Sequence, residues 1–237
     1  MGKLILVRHG QSLWNAENRF TGWVDVDLSQ KGQDEAKNSA KLIKELNLNF
    51  EKCFTSFLKR SIKTLEIILD VLGDQKKYIK AWELNERHYG SLTGLNKNET
   101  KNKIGEEQFL KYRRSWDNPP PPLELKSKYS SHNDPLYVKL KKIPQTESLK
   151  DTYNRVVPFY QSNIEKYIIQ NKNIIISAHG NSIRALCKKI FNITDDKINF
   201  LEIPTGNPLV IFFDNLGKLK EANYLDKGRK AEIILNQ

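Results

Sequence analysis

The chain has 237 residues, of which 39 are Lys or Arg and 28 are Asp or Glu, so its formal net charge is +11. This length suits one α/β domain over residues 1–237, and the lack of a long apolar stretch argues against a membrane span or a signal peptide. We therefore expect a cytoplasmic protein. The positive charge favours anionic partners, either nucleic acid or phosphorylated metabolites, but a lysine-rich surface accounts for the charge equally well.

Short apolar runs alternate with helical patterns along the chain. Lys3–Val7 and Asn173–Ala178 are apolar runs that predict buried strands, and each is followed by a His-Gly pair. Between and after them, the pattern predicts helices over 36–46, 58–72, 148–169 and 181–191 and strands over 53–55 and 78–81. Strands alternating with helices indicate a mostly parallel sheet with helices on both faces.

Two segments depart from this alternation. Residues 115–143 contain four consecutive prolines, Pro119–Pro122, with many Lys and Ser residues and little apolar periodicity. A proline run favours extended backbone, so we interpret this segment as a structured, lid-like insertion rather than a second domain. Residues 226–237 are rich in charge, and we expect a mobile C-terminal tail there.

Cysteine and histidine spacing gives no support for a metal site. Cys53 and Cys187 are far apart and belong to no Cys-x-x-Cys pattern, so we expect two reduced, buried thiols. The histidines, which are His9, His88, His132 and His179, also lack the short paired spacing of a zinc site. We predict no bound metal, and we interpret His88 and His132 as structural or surface residues.

His9 and His179 are the strongest candidates for catalysis. Each follows a predicted strand and precedes a Gly and a helical pattern, and ligands of open α/β sheets bind at the carboxyl ends of the strands. Gly10 and Gly180 allow a sharp turn and a close approach of a ligand to the backbone. Free N–H groups at the start of each following helix would then bind phosphate.

Seven sequence motifs resemble the phosphoglycerate mutase branch of the histidine phosphatase superfamily, in its order and spacing and over nearly the whole chain. RHG with a distal histidine indicates only the superfamily, whereas NERHYG, the arginine pair and the proline run resemble the part that roofs the phosphoglycerate site in the mutases. The motifs are LVRHGQSLWNAENRFTGW, TSFLKRSIKT, LNERHYGSLTGLNK, YRRSWDNPPPP, TESL, AHGNSIRAL and IPTGNPLV.

The resemblance implies a role for each matching residue. His9 becomes phosphorylated, with Arg8, Arg60 and His179 around the transferring group, and Glu86 gives and takes the proton of the reacting hydroxyl. Phosphoryl transfer depends on positioning and charge, and cations beside His9 would keep its ring neutral and nucleophilic. The substrate-binding positions that the resemblance implies are Ser12, Asn15, Thr21, Gly22, Tyr89, Lys97, Arg113, Arg114, Gly180 and Asn181.

The function implied by the resemblance is interconversion of 2-phosphoglycerate and 3-phosphoglycerate through phospho-His9. It also implies 2,3-bisphosphoglycerate as intermediate and primer, and a homo-oligomer, for which we favour a dimer. Two alternatives are open at this point. One is a phosphatase that passes the same phosphoryl group to water, against which a water-excluding lid argues. The other is a noncatalytic polyanion-binding protein, which is supported only by the net charge.

Overall fold

The computed structural model describes residues 2–140 and 143–235 and contains one six-stranded sheet. The strands are β1 (Lys3–Arg8), β2 (Phe50–Thr55), β3 (Ile79–Lys80), β4 (Asn173–Ala178), β5 (Leu209–Phe213) and β6 (Leu219–Tyr224). They lie in the order β3-β2-β4-β1-β5-β6. The first four in this order are mutually parallel, whereas β5 is antiparallel to β1 and to β6. The predicted α/β fold with a mostly parallel sheet is confirmed.

Eight helices accompany this sheet within the described residues. They are α1 (Leu13–Ala16), α2 (Gln30–Glu45), α3 (Lys59–Leu72), α4 (Lys97–Ile104), α5 (Glu106–Arg114), α6 (Leu149–Asn163), α7 (Glu165–Ile169) and α8 (Gly180–Ile190). The helix predicted from Ser148 towards Ile169 is two helices, because the backbone leaves helical geometry at Ile164 (φ −120°). Ile164 is completely buried, and the break lets Ile168 reach the same core.

The sheet is covered on both faces, which explains why its central strands are continuous apolar runs. Side chains of a strand alternate between the faces. Leu4 and Leu6 pack into the core under α6 and α8, whereas Ile5 and Val7 pack into the core under α2 and α3. All four side chains are at most 1% exposed, so β1 is buried between two helical layers and its carboxyl end is firmly held.

The predicted insertion at 115–143 is irregular apart from a 3₁₀ turn at Ser131–Asn133, and Lys141 and Lys142 lie outside the described residues. Tyr137 anchors it, since its ring is buried against Trp23 with centroids 4.7 Å apart. We use the name roof for residues 97–140, which comprise α4, α5 and this insertion. The helical part of the roof was missed in the sequence, because α4 has only one buried side chain.

The C-terminal segment follows β6 as a 3₁₀ turn at Lys227–Arg229. Ala231, Ile233 and Ile234 are half-buried against the core beneath α6 and α8. Asn236 and Gln237 lie outside the described residues, and mobility of the tail stays a prediction. Within the described part of the chain, no helix is long and apolar enough to cross a membrane.

Candidate active site

A cleft lies at the carboxyl ends of β1 and β4, the neighbouring parallel strands that the two histidines follow. Its two halves share Arg8, Glu86, Tyr89 and Arg113, so they form one continuous site. All predicted site residues line it except Ser12 and His179. Those that do are Arg8, His9, Asn15, Thr21, Gly22, Arg60, Glu86, Tyr89, Lys97, Arg113, Arg114, Gly180 and Asn181.

His9 is held as a neutral ring with one nitrogen free. Its Nδ1 lies 2.6 Å from the carbonyl oxygen of Gly10, and because a carbonyl can only accept, Nδ1 carries the proton. The other nitrogen, Nε2, therefore has a free lone pair. Burial lowers the pKa of His9 well below its usual value, and the charges of Arg60 and Arg8 lower it further. A neutral imidazole near pH 7 is the nucleophilic form.

His179 lies behind His9 and is completely buried. The two rings meet edge to face with centroids 4.9 Å apart, and His179 Nε2 pairs with the Ser56 hydroxyl at 2.8 Å. Its Nδ1 is buried and has no hydrogen-bond partner among the described residues. Burial lowers the pKa of His179, and Arg60 and His9 reinforce this. His179 therefore holds the ring of His9 from behind and does not line the cleft itself.

Arg60 is the main cation buried beside His9. It lies in the first turn of α3, is 1% exposed, and donates to the carbonyl oxygens of Val24 and Gly22 at 2.9 and 2.8 Å. Burial lowers its pKa to about 10. Arg60 therefore shapes the loop that carries Gly22 and brings a positive charge to the site.

Arg8 spans the cleft between the two histidine loops. Its Nη1 donates to the carbonyl oxygen of Ile203 at 2.7 Å, and its Nε is buried without a partner in the described part of the chain. A Cβ built on Gly180 would lie 3.5 Å from this Nε, which is ordinary contact. At Gly10, by contrast, a Cβ would lie 2.1 Å from the Gly32 carbonyl oxygen, so Gly10 is required by packing and Gly180 is not.

Glu86 has one carboxylate oxygen fixed and one that the described contacts leave free. Its Oε1 accepts from the backbone N–H of Arg87 at 2.8 Å and from the backbone and side-chain N–H groups of Asn181 at 3.2 and 2.8 Å. The side chain is 8% exposed. A buried carboxyl with one anchored oxygen can present the other to a hydroxyl, as general acid–base chemistry requires.

The expectation that backbone N–H groups after His9 bind phosphate is wrong. The N–H groups of Gly10 and Gln11 donate to Thr64 Oγ1 at 3.2 Å and Glu35 Oε2 at 2.8 Å. That of Ser12 donates to Asn15 Oδ1 at 3.2 Å, and Ser12 Oγ in turn accepts from the Asn15 N–H, closing the cap of α1. These three donors already have protein partners, and after His179 the N–H of Asn181 donates to Glu86, so the cationic side chains of the cleft are the main groups left for an anion.

The loop before α2 contributes two further groups. The Thr21 hydroxyl is buried and has no partner among the described residues, so it is available to a ligand. Gly22 has φ +56°, a left-handed conformation that favours glycine. A Cβ there would also lie 3.3 Å from the backbone nitrogen of Tyr89. This close approach joins the loop of Thr21 to the loop of Glu86.

The side of the cleft that is formed by the roof is strongly cationic. Burial lowers the pKa of Lys97 and of Arg113, and the neighbouring Arg114 adds to the effect on Arg113. For Tyr89, burial alone would raise the pKa, but the charge of Arg87 helps to lower it overall. Arg114 pairs with Glu202 at the rim. These like charges repel one another, and a bound anion would relieve the repulsion.

Several lining residues were missed in the sequence. Arg184, Glu202 and Ile203 line one half, and Arg19 and Phe20 line the other. Arg87 is completely buried nearby, and two of its guanidinium nitrogens lack partners among the described residues. Arginine side chains are usually exposed, so the burial of Arg87 and Arg184 could be recognised only from the tertiary structure.

Charge and composition together define the ligand that this cleft suits. Its lining contains seven cationic side chains, namely Arg8, Arg19, Arg60, Lys97, Arg113, Arg114 and Arg184, and two carboxylates, Glu86 and Glu202. Such an excess favours a small ligand with several negative charges. Over residues 2–140 and 143–235, no group of three or more His, Cys, Asp or Glu side chains could hold a metal ion.

Comparisons with known proteins agree with this chemistry. A model of the histidine phosphatase superfamily (branch 1) matches residues 4–218. The chain is 52% identical to the 2,3-bisphosphoglycerate-dependent phosphoglycerate mutase of Pelagibacter ubique (strain HTCC1062), covering 99% of this chain and all of that protein. It is 50% identical to the enzyme of the same name from Caulobacter sp. (strain K31), with 98% of each covered.

Solved structures share the fold at lower sequence identity. A mycobacterial glucosyl-3-phosphoglycerate phosphatase in complex with VO3 has a TM-score of 0.69 and 18% identity, covering 94% of this chain and 97% of that one. Bacillus stearothermophilus YhfR has a TM-score of 0.68 and 22% identity, covering 93% and 95%. These similarities support the architecture alone.

Proposed function

We propose that this chain, which belongs to the histidine phosphatase superfamily and within it to the 2,3-bisphosphoglycerate-dependent phosphoglycerate mutases, interconverts 2-phosphoglycerate and 3-phosphoglycerate. The observation that carries the proposal is the neutral His9, whose protonated Nδ1 is held by Gly10 and whose Nε2 is free in a cationic cleft. Relatives of about 50% identity argue against the noncatalytic polyanion-binding alternative.

In the first step, His9 Nε2 attacks a phosphoryl group of 2,3-bisphosphoglycerate. The N–P bond forms as the P–O bond to the glycerate breaks, and the proton stays on Nδ1, which donates it in a hydrogen bond to the Gly10 carbonyl oxygen. Arg8 and Arg60 face the equatorial oxygens, the Asn15 side chain completes their surroundings, and His179 supports the His9 ring from behind. Charge stabilisation of this kind dominates phosphoryl transfer.

Glu86 handles the proton on the glycerate oxygen. As the P–O bond breaks, the free carboxyl oxygen, Oε2, donates a proton to the leaving oxygen. After the monophosphoglycerate reorients, the other hydroxyl returns a proton to Oε2 as it attacks the phosphorus of phospho-His9. The three hydrogen bonds to Oε1 support this assignment, since they leave Oε2 as the exchangeable oxygen.

The remaining site residues hold the part of the substrate that does not react. Arg113 and Arg114, with Lys97 and Tyr89, bind the carboxylate and the second phosphate, for which arginine forks are well suited. Hydrogen bonds to the substrate come from four of the remaining predicted positions, which are Thr21, Gly22, Gly180 and Asn181. Ser12 acts through the Asn15 cap rather than by lining the cleft.

Three broader predictions complete the proposal. No metal takes part, because the cationic side chains supply the compensating charge. The enzyme acts in the cytoplasm on a small phosphorylated substrate, without nucleic acid or membrane partners. It assembles as a homo-oligomer, with a dimer favoured, which sedimentation of the purified protein would test.

The test is conversion of 3-phosphoglycerate to 2-phosphoglycerate, coupled to enolase, with and without 2,3-bisphosphoglycerate. Preincubation with a chelator excludes a tightly bound metal, and magnesium is restored only for enolase. We expect chelator-resistant turnover that the bisphosphate stimulates. Release of phosphate without isomerisation would replace the proposal with a phosphatase.

A further inference from the structure

We propose that Arg184 is a positioning residue for the proton transfer, because it fixes the side-chain amide of Asn181 in the orientation that anchors Glu86. Arg184 occurs in none of the roles assigned above, and the inference rests on the proposed role of Glu86. It explains why an arginine is buried at the wall of the cleft although it forms no ion pair with any carboxylate of the described residues.

The orientation of the Asn181 amide follows from the chemistry of its neighbours. Arg184 follows Asn181 by three residues on α8, which places both side chains on one side of the helix, and its Nη1 lies 3.0 Å from Asn181 Oδ1. A guanidinium only donates, so the atom facing it must be the amide oxygen. The amide nitrogen then points the other way, to Glu86 Oε1 at 2.8 Å and the Tyr89 hydroxyl at 3.0 Å.

Arg184 is itself held rigidly. Its Nη2 donates to the carbonyl oxygen of Ile198 at 2.6 Å, and the side chain is 4% exposed. Within the described residues it forms no ion pair, and its Nε has no partner. Burial, with Arg114 and Arg87 nearby, lowers its pKa to about 9. An aliphatic side chain would fill this space without the cost of burying a charge, so packing alone does not account for an arginine here.

The consequence lies at Glu86, where Asn181 provides two of the three donors to Oε1. If the amide turned over, its oxygen would face Oε1, and two acceptors would repel each other. The carboxyl group would then rotate or hold its proton on Oε1, on the side away from the substrate. Arg184 thus determines which oxygen of Glu86 exchanges the proton.

Other charged groups also surround Glu86. They come from β1, α3, α6, the Glu86 loop and the roof, and they are Arg8, His9, Arg60, Arg87, Tyr89, Lys97, Arg113 and Arg155. Because Tyr89 also contacts Asn181 Nδ2, a double-mutant cycle with Glu86→Gln is needed to assign an effect to Glu86. A substitution at Arg184 can change the pH profile in two ways, by losing the contact with Asn181 or by losing the positive charge of Arg184. Arg184→Lys keeps the charge and loses the contact, so it separates these two causes.

The test compares Arg184→Lys and Arg184→Met with Lys189→Arg, a control at an exposed position on the same helix. Lysine keeps the charge, but its single ammonium group cannot reach both the Asn181 and the Ile198 oxygens as the guanidinium does. We expect kcat to fall about 10- to 100-fold in both Arg184 variants, with KM within about threefold. The pH dependence of kcat should change in both Arg184 variants, because a hydrogen bond to the Glu86 carboxylate is lost, whereas Lys189→Arg should keep the wild-type profile.

A double-mutant cycle with Glu86→Gln isolates the coupling. Once the carboxyl is absent, Arg184→Lys should cause no further loss of kcat. Additive losses, an effect confined to KM, or an unchanged pH profile in Arg184→Lys would overturn the inference. If the Arg184 variants fail to fold, Asn181→Asp removes the same donor and should also change the pH profile, and an unchanged profile would overturn the inference as well. A wild-type enzyme that does not isomerise would instead remove the proposed function.

Discussion

At the floor of the cleft, which the carboxyl ends of β1 and β4 form, residues 4–7 and 174–178 of the two strands are completely or almost completely buried. The roof, residues 97–140, instead exposes Leu110, Leu125 and Val138 by 44%, 53% and 66%. The floor carries His9 at the end of a buried strand, and the roof carries Arg113 and Arg114 on a short helix. In the proposed mechanism, the nucleophile and the groups that recognise the substrate therefore lie on parts of different burial.

Because the two regions differ in burial, we expect substitutions in the floor and in the roof to have different effects on the reaction. Stability comes mainly from apolar burial, so the floor shares the stability of the whole sheet, whereas the roof has fewer buried contacts and can open locally. Changes in the floor should stop phosphoryl transfer altogether. Changes in the roof should leave transfer to His9 intact and alter where the phosphoryl group goes next.

The largest effect is expected from His9→Ala. Without Nε2 no phosphoenzyme forms, so kcat should fall on the order of 10⁴-fold or more in the enolase-coupled assay. His132→Ala, which changes an exposed histidine of the roof, serves as the control and should keep wild-type turnover. Substantial isomerisation by His9→Ala would mean that the reaction does not pass through this ring.

Arg60→Gln tests the charge of the floor with a smaller effect. The glutamine amide can still donate to one of the Val24 and Gly22 carbonyls, but the positive charge beside His9 is lost. We expect kcat to fall about 10²- to 10³-fold, the usual effect of losing one preorganised transition-state contact. A variant that loses only affinity for 3-phosphoglycerate would show that Arg60 serves binding rather than transfer.

Sequence predicted the floor better than the roof, for physical reasons. A buried strand followed by His-Gly has a clear apolar pattern, so the positions of His9 and His179 could be predicted. The helix α4 depends on its Asn96 cap and buries only Thr100, so its pattern is that of a loop. The acceptors Glu35 and Thr64, which occupy the N–H groups after His9, come from distant segments that local patterns cannot bring together.

Tyr129→Ala tests the closure of the roof. The Tyr129 ring lies edge-on to Trp14 with centroids 5.5 Å apart, its hydroxyl meets Arg19 at 3.4 Å, and it fills the space beside Gly94. Removing the ring should raise phosphate release relative to isomerisation by about 3- to 10-fold, because water gains access to phospho-His9. Tyr129→Phe keeps the ring and should behave like the wild type; equal ratios in all three proteins would show that Tyr129 does not close the site.

The smallest expected effect concerns stability at low pH. His88 is buried behind the Glu86 loop, and burial lowers its pKa to about 4. The unfolded chain takes up this proton near pH 6.5, so the contribution of His88 to the free energy of unfolding is fully present above pH 6.5. It falls towards pH 4, by about 3 kcal/mol at most.

Urea unfolding of the wild type and of His88→Gln at pH 7 and pH 4.5 measures this contribution. His9 and His179 are present in both proteins, so the difference between the two pH dependences reports on His88. We expect the wild type to lose more stability on acidification than the variant. Parallel losses would show that His88 does not remain neutral in the folded protein.

The central claim, that phospho-His9 passes its group to a glycerate hydroxyl and not to water, is tested most directly by a single-turnover experiment. The enzyme is phosphorylated with ³²P-labelled 2,3-bisphosphoglycerate, separated from free ligand, and mixed with 3-phosphoglycerate. We expect an acid-labile label that is absent in His9→Ala and that moves to bisphosphoglycerate and 2-phosphoglycerate far faster than to inorganic phosphate. Label on another residue, or release mainly as inorganic phosphate in the presence of 3-phosphoglycerate, would contradict it.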